Sequence, residues 1–399
     1  MLLTATRRAP PLLRRRLDVR SATFASGSGS GSGGGGSSSI DEVPIIDLGP
    51  LRHGESDAVV QQVASACADW GFFQVVNTDV DADVIARFEE QMRDFFALPM
   101  EVKRAMRRGA DNARGFFDDE LTKQRRDWKQ ALDFGATPAR DWSLPDEHPA
   151  HANLDGFNRF PPAELAPRFR PAMADYFVEL TELSERLSRV MAVGLGMPAD
   201  YFADALRQRH TSFLRLNYYP PCQEPGPPPP LGISPHKDAG FLTVLAQDPD
   251  CHSLQVRRRT DGEWVTVHPA PGAFTINTGD MAQIWSNDRY HAPEHRVLTH
   301  PTKERFSAPF FYNPGFDTAV APLPSLGAPR YNECVWGYFR AQRFAGDYAD
   351  YGTEIQISDF AHGSGSWHVA NQARFLQRAD FGRPFDVETN RELLSPTAS

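Results

Sequence analysis

Apolar and polar positions change period part-way along this chain. Residues 43–49 (Val-Pro-Ile-Ile-Asp-Leu-Gly) predict a short buried strand, and residues 58–70 then place Val59, Val60, Val63, Ala66 and Cys67 at helical spacing. Gly71 closes that helix, residues 72–76 (Phe-Phe-Gln-Val-Val) read as a compact strand, and a second helix over about 82–98 ends before Pro99. Residues 109–162 are polar and aromatic without a period and read as loops. A long amphipathic helix is expected over 166–195, carried by Met173, Tyr176, Phe177, Leu180, Leu183, Leu187, Val190 and Met191 and stopped by Gly196 and Pro198. After residue 210 the period shortens. Strand-like runs recur at 212–219, 241–247, 254–257, 264–268, 273–277, 282–285, 295–299 and 306–312, with turn residues between them. About eight strands at such spacing predict a two-sheet jelly roll or a barrel. Helical patterning returns near 334–344, the stretch beyond about residue 363 looks loosely specified, and no internal repeat is visible.

Composition narrows the functional classes. The 399 residues carry a formal net charge of −9, which argues against a polyphosphate partner, so no nucleic acid is expected. The four cysteines (Cys67, Cys222, Cys251, Cys334) form no CxxC pair, which argues against a disulfide scaffold or a cysteine zinc site and fits a reducing compartment. No apolar run is long enough for a bilayer, so a soluble protein with no membrane partner is expected. The N-terminus stands apart. Residues 1–20 hold six arginines with Asp18 as the only acid, and an uninterrupted Ser/Gly tract follows over 26–39. This pattern suits either an organellar transit peptide or a disordered tail with a flexible linker. The expected location is accordingly the cytoplasm, or a mitochondrion or plastid if the arginine-rich segment is a transit peptide.

His236-Lys-Asp238 is a weak signal by itself, because with 12 histidines a chance HxD is expected about once in such a chain. Side chains at i and i+2 on an extended backbone point the same way, however, so both groups can reach one metal ion. A third ligand could come from His291 or His295, four residues apart in Tyr290-His-Ala-Pro-Glu-His-Arg-Val297. His295 opens an apolar strand, whereas His291 sits in the turn before Pro293. Two histidines and a carboxylate make the facial triad of non-haem iron(II) oxygenases; zinc with three ligands is the rival and implies hydrolysis. Arg305 and Ser307 share a strand face with Pro309 and Phe311. A buried guanidinium without a carboxylate partner is costly, so Arg305 implies an anion, and its fork with a serine hydroxyl suits the distal carboxylate of a small diacid. Asn217 and Tyr219, again i and i+2, are candidate further donors, and Phe311 is either a substrate contact or a core aromatic.

Six segments together carry a resemblance. Leu214-Arg-Leu-Asn-Tyr-Tyr-Pro-Pro-Cys222, Pro235-His-Lys-Asp-Ala-Gly240 and Leu242-Thr-Val-Leu-Ala-Gln-Asp248 are followed by Gly279-Asp-Met-Ala-Gln-Ile-Trp-Ser-Asn287, Glu294-His-Arg-Val297 and Glu304-Arg-Phe-Ser-Ala-Pro-Phe-Phe-Tyr-Asn-Pro314. In order, content and spacing this set resembles the isopenicillin N synthase-like, plant-type family of 2-oxoglutarate and iron(II)-dependent dioxygenases, over about residues 43–345. The resemblance implies an α+β fold, a double-stranded β-helix (jelly roll) flanked by helices. It also implies iron on His236, Asp238 and His295, the C5 carboxylate of 2-oxoglutarate on Arg305 and Ser307, and Asn217 and Tyr219 beside the other end of that diacid. The implied cofactors are Fe(II), 2-oxoglutarate and dioxygen, with ascorbate in support. The implied reaction is oxidation of a small organic molecule (hydroxylation, desaturation or cyclisation) with release of succinate and carbon dioxide, as in secondary metabolism; the sequence does not reveal the oligomeric state, and a monomer is the expectation. The organisation then reads as a Ser/Gly-rich N-terminus over 1–40, an N-terminal dioxygenase region over 41–165, a long helix and connection over 166–209, the β-helix domain over 210–320 and a C-terminal helix and tail over 321–399. Isopenicillin N synthase and the aminocyclopropane carboxylate oxidases keep the iron ligands and an Arg-x-Ser without using 2-oxoglutarate, so an iron oxidase of that kind is the alternative. A silent binding or sensing module on the same fold is the other. The double tyrosine at 218–219 is closer to the 2-oxoglutarate users, and Phe-Tyr-Asn-Pro-Gly at 311–315 is similar to the aminocyclopropane enzymes. Lys237 stands where threonine is frequent in the plant enzymes, so no hormone or flavonoid substrate is assigned.

Overall fold

Along the strand Arg305–Tyr312 two chemistries alternate. Phe306, Ala308, Phe310 and Tyr312 enter the main hydrophobic core, while Arg305, Ser307, Pro309 and Phe311 line a cavity on the other face. The neighbouring strand Phe213–Tyr219 repeats the scheme, with Leu214 and Leu216 toward the core and Phe213, Arg215, Asn217 and Tyr219 toward the cavity. A period of two with both faces occupied is what places helices behind the sheet and a site in front of it. The computed structural model describes residues 42–54, 56–123, 125–135, 148, 151–207, 210–223, 230–348 and 354–396. The expectations for residues 1–40 lie outside them.

The large sheet has eight strands in the order Ile45–Asp47, Phe72–Val76, Phe274–Thr278, Leu242–Gln247, Arg305–Tyr312, Phe213–Tyr219, Gln130–Gly135 and Gly115–Phe117. All its pairings are antiparallel except that of the first two strands. A four-stranded antiparallel sheet, in the order Trp264–Thr266, Leu254–Arg257, His295–Leu298 and Leu231–His236, completes the double-stranded β-helix. A small apolar cluster with Phe72, Tyr219 and Leu245 from the first sheet and Leu254, Val256 and Val297 from the second joins the two. Behind the large sheet lies the helix Phe169–Gly194, which buries Met173, Tyr176, Phe177, Leu180, Leu183 and Leu187. Phe177 meets Phe310 edge-on at 4.9 Å, and Tyr176 stacks on Phe88 of the helix Ala82–Ala97 at 3.6 Å. Among the described residues no helix is long and apolar enough to cross a membrane.

Four expectations are corrected. Residues 282–285 are not a strand but part of the helix Asp280–Trp285, whose Met281, Ala282, Ile284 and Trp285 are all buried. A short apolar run buried on every side has no readable period. The strand Leu231–His236 went unforeseen because it follows a proline run and contains Pro235, and it sits at a sheet edge, where proline is tolerated. The presumed loop region over 109–162 contains Gly115–Phe117 and Gln130–Gly135, which extend the large sheet. The loosely specified tail contains the helix Trp367–Arg378, and Phe375, Val387 and Leu393 enter the main core.

Phe310 is wholly buried at the junction of helix and sheet. Phe310→Ala is expected to lower unfolding free energy by about 3–5 kcal/mol, read from the urea midpoint, and a loss under ~1 kcal/mol would show that this junction does not hold the sheet to its helix.

Candidate metal centre and cavity

The strands Leu231–His236 and His295–Leu298 pair so that His295 lies directly across from His236. Their rings are 4.3 Å apart between centroids, and each Nε2 is 3.7 Å from Asp238 Oδ1. One ligating atom from each of the three lies within 4.8 Å of the others, the only such group of three or more among the described residues. The far nitrogens are engaged. His236 Nδ1 faces the Ser234 carbonyl at 2.8 Å and His295 Nδ1 faces that of Pro293 at 3.3 Å. A proton on each Nδ1 leaves each Nε2 lone pair aimed at the shared point, the tautomer a metal ligand needs. Burial, then the facing His295, push His236 down to about 3 against the pull of Asp238, so the imidazole is neutral.

The carboxylate is held as firmly. Asp238 Oδ2 accepts from Thr243 Oγ1 at 2.5 Å and from Asn277 Nδ2 at 2.8 Å, which leaves Oδ1 toward the histidines. Burial works to raise this group, but the two imidazoles and those two hydrogen bonds hold it below the usual carboxylate range. The loop that carries it is clamped by the start of the helix Asp280–Trp285. Asp280 N–H donates to the Asp238 carbonyl at 2.8 Å and Met281 N–H to that of Gly240 at 3.0 Å. A Cβ on Gly279 would meet the Gly240 carbonyl oxygen at 2.2 Å, so the close approach requires glycine.

Of the two competing histidines, His295 joins the group. His291 stands outside it, in a turn whose backbone N–H at His291 donates to the Cys67 carbonyl at 2.9 Å. Three ligands, two imidazoles and one carboxylate converging on a shared point, fit a facial iron(II) site.

Arg305 is 2% exposed and has no carboxylate partner among the described residues. It donates to two neutral acceptors, Ser307 Oγ at 3.1 Å and Gln247 Oε1 at 2.9 Å, and its Nε is buried without a partner. Tyr219 and Asn217 lie across from Arg305 and Ser307 on the next strand. The Tyr219 ring is 5.0 Å from the guanidinium, and Asn217 Oδ1 is buried with no partner. Tyr219 is therefore at the Arg305 end of the pocket rather than the opposite end, because cross-strand register, not sequence order, sets its neighbour. Phe311 lines the cavity, stacked on Phe213 at 4.6 Å.

The cavity encloses about 1070 Å3, counting its open mouth, and both the ligating group and Arg305 line it. The rest of the wall was not foreseen from the sequence. Trp336, Arg340, Arg343 and Asp347 come from one helix, Trp336–Tyr348, Arg215 from the strand Phe213–Tyr219, and Glu120 and Lys129 from the segment between Gly115–Phe117 and Gln130–Gly135. The helical stripe had a signal in its spacing, polar residues at i+4, i+7 and i+11 from Trp336 inside an apolar helix. Thr243, Asn277 and Gln247, which brace the ligand and the arginine, had none.

Residues 43–163 match the non-haem dioxygenase in morphine synthesis N-terminal model and residues 210–314 that of the 2OG-Fe(II) oxygenase superfamily. Jasmonate-induced oxygenase 2 of Arabidopsis thaliana is 37% identical over 291 residues, 71% of this chain and 73% of that protein. Gibberellin 20 oxidase 2 of Oryza sativa subsp. japonica is 35% identical over 304 residues, 74% of each. The crystal structure of JOX2 in complex with 2OG, Fe, and JA is similar with a TM-score of 0.63 at 34% identity, over 75% of this chain and 84% of that one. This chain belongs to the 2OG-Fe(II) oxygenase superfamily, and it is a 2-oxoglutarate-dependent non-haem iron dioxygenase.

Proposed function

We propose that His236, Asp238 and His295 hold the iron(II), and that Arg305 with Ser307 holds the C5 carboxylate of 2-oxoglutarate, with Tyr219 and Asn217 beside it. The observation that carries this reading is the buried Arg305, whose donors among the described residues meet Ser307 and Gln247 and which has no described counter-charge of the kind a diacid would supply. Iron(II) with bound 2-oxoglutarate supplies the oxidative chemistry, consuming dioxygen and releasing succinate and carbon dioxide. The protein's part is placement. Thr243 and Asn277 hold Asp238 with one oxygen forward, and backbone carbonyls fix both imidazoles. The small organic substrate would lie over the Phe213–Phe311 pair, on the same strand faces as the diacid and further along them. The JOX2 crystal structure has 2OG, Fe and JA together, which supports a small ligand beside the diacid in this fold. A zinc hydrolase has no use for Arg305, and a silent module has no reason to keep all of these groups.

Anaerobic addition of 2-oxoglutarate to the iron(II) protein is expected to give a visible charge-transfer band, and its absence would sink the reading. Asp238→Ala should abolish both iron binding and substrate-dependent succinate release; full activity in that variant refutes the triad. Arg305→Ala should raise the 2-oxoglutarate KM by roughly a hundredfold or more with a smaller effect on iron affinity, and an unchanged KM removes Arg305 from its role. Thr243→Val keeps the shape and removes the hydroxyl, so iron affinity is expected to fall on the order of tenfold to a hundredfold in an anaerobic titration. An unaltered titration would mean that Asp238 needs no such brace.

A further inference from the structure

Most charges in the cavity wall already have partners. Glu120 is shared by Lys129, Arg215 at 3.1 Å and Arg108 at 3.4 Å, and Arg215 also grips Asp133 through two bonds of 2.8 Å. Arg343 bridges Asp280 at 3.0 Å and Glu354, and Glu354 also takes Lys123 at 3.0 Å. Once those pairs are formed, and with Arg305 assigned to the diacid, three charged cavity-lining side chains have no hydrogen-bonded counter-charge among the described residues. Lys237 makes no hydrogen bond or ion pair among the described residues. Arg340 approaches Asp155 with its Nε alone, at 3.2 Å and without hydrogen-bond geometry, and no described acceptor takes its Nη groups. Asp347 is a carboxyl whose oxygens have no partner among the described residues, although its backbone carbonyl accepts from Arg108 at 3.4 Å.

The reasoning that assigns a carboxylate to Arg305 applies to these groups with both signs. A charge in a low-dielectric wall is stable only when a group of opposite sign completes it, and a cavity left with complementary charges selects the ligand that carries both. We propose that the substrate of this dioxygenase is a zwitterion of the amino-acid or short-peptide class, its carboxylate bound by Lys237 and Arg340 and its ammonium by Asp347. This rests on the iron and 2-oxoglutarate reading above. Arg340, Arg343 and Asp347 occur at i, i+3 and i+7 on the helix Trp336–Tyr348, hence on one face. Arg340 and Asp347 are about 10 Å apart along its axis, a span that two side chains of opposite sign close to the length of a small zwitterion. The surroundings of Asp347 explain why it needs a cation. Burial, then Glu120 and Glu354, push its carboxyl up to about 7, and Arg343 and Arg215, both already engaged with other acids, only partly offset them. An incoming ammonium supplies the counter-charge.

The test uses the full-length protein loaded anaerobically with iron(II) and 2-oxoglutarate, so that its charge-transfer band reports a folded, loaded site before any substrate is added. The probes are amino acids and dipeptides, their N-acetyl derivatives and their decarboxylated amines. The readouts are perturbation of the band and, in air, succinate release. Zwitterionic members are expected to perturb the band and drive turnover. N-acetylation should lower kcat/KM by roughly tenfold to a hundredfold in the native protein, mainly through KM, and Asp347→Asn should abolish that discrimination while Lys237→Gln weakens the parent and acetylated acids alike. The proposal is overturned if no zwitterion perturbs the band, if acetylated acids serve as well as their parents, or if Asp347→Asn keeps the discrimination. Failure of the band to form with 2-oxoglutarate alone would instead strike the iron and 2-oxoglutarate reading.

Discussion

The register of the large sheet is the constraint on which the site depends. Its central strands are occupied on both faces, by aromatic and aliphatic side chains toward the helices and by polar ones toward the cavity. A slip of one residue in Arg305–Tyr312 would drive Arg305 and Ser307 into the core beside Phe177 and bring Phe306 and Phe310 into the cavity. Because a slip reverses every side chain at once, hydrophobic packing behind the sheet enforces the alignment of Arg305 with Tyr219 and of Ser307 with Asn217 in front of it. The catalytic geometry is in this sense fixed by residues that never touch a ligand.

Electrostatics sets a second constraint, since the cavity is walled by charge rather than by hydrocarbon alone. The cluster of Lys129, Asp127 and Glu120 is linked to the metal centre as well as to the substrate wall. Lys129 holds Asp127 at 2.9 Å, Asp127 accepts from the Ser234 N–H at 3.2 Å, and the Ser234 carbonyl fixes His236. A buried network with its partners in place rigidifies its surroundings, while removing one member leaves an uncompensated charge inside the protein. Paired groups therefore build and stiffen the wall.

Much of the fold was legible because its central strands alternate cleanly, as at Phe213–Tyr219 and Arg305–Tyr312. The long helix was visible for a similar reason, although Pro167 and the turn after it delay its start to Phe169. Legibility failed where the pattern lost its period. Asp280–Trp285 is a short helix buried on most of its sides, Leu231–His236 hides behind prolines, and Gln130–Gly135 is defined by its pairing with Phe213–Tyr219 and Gly115–Phe117. Within the site, the parity of His236 and Asp238 was readable locally, and so was that of Arg305 and Ser307. The choice of His295 over His291 is settled in space by a cross-strand pairing to His236, and strand parity cannot see it because the two are four residues apart.

The division between what could and could not be read follows from how each half of the cavity is built. His236 with Asp238, Arg305 with Ser307 and Asn217 with Tyr219 are pairs of residues two apart, so this part of the cavity is compressed into short motifs. The remaining wall draws on Lys237 just after a strand, Arg215 on a strand, and Arg340 and Asp347 on a helix more than a hundred residues later, which line one cavity only once the chain has folded. No linear spacing records that meeting. A superfamily that keeps one reaction and changes its substrate needs this arrangement. Local motifs keep the oxidant in place, while side chains from remote elements can be exchanged one at a time without disturbing the register that holds the iron ligands together.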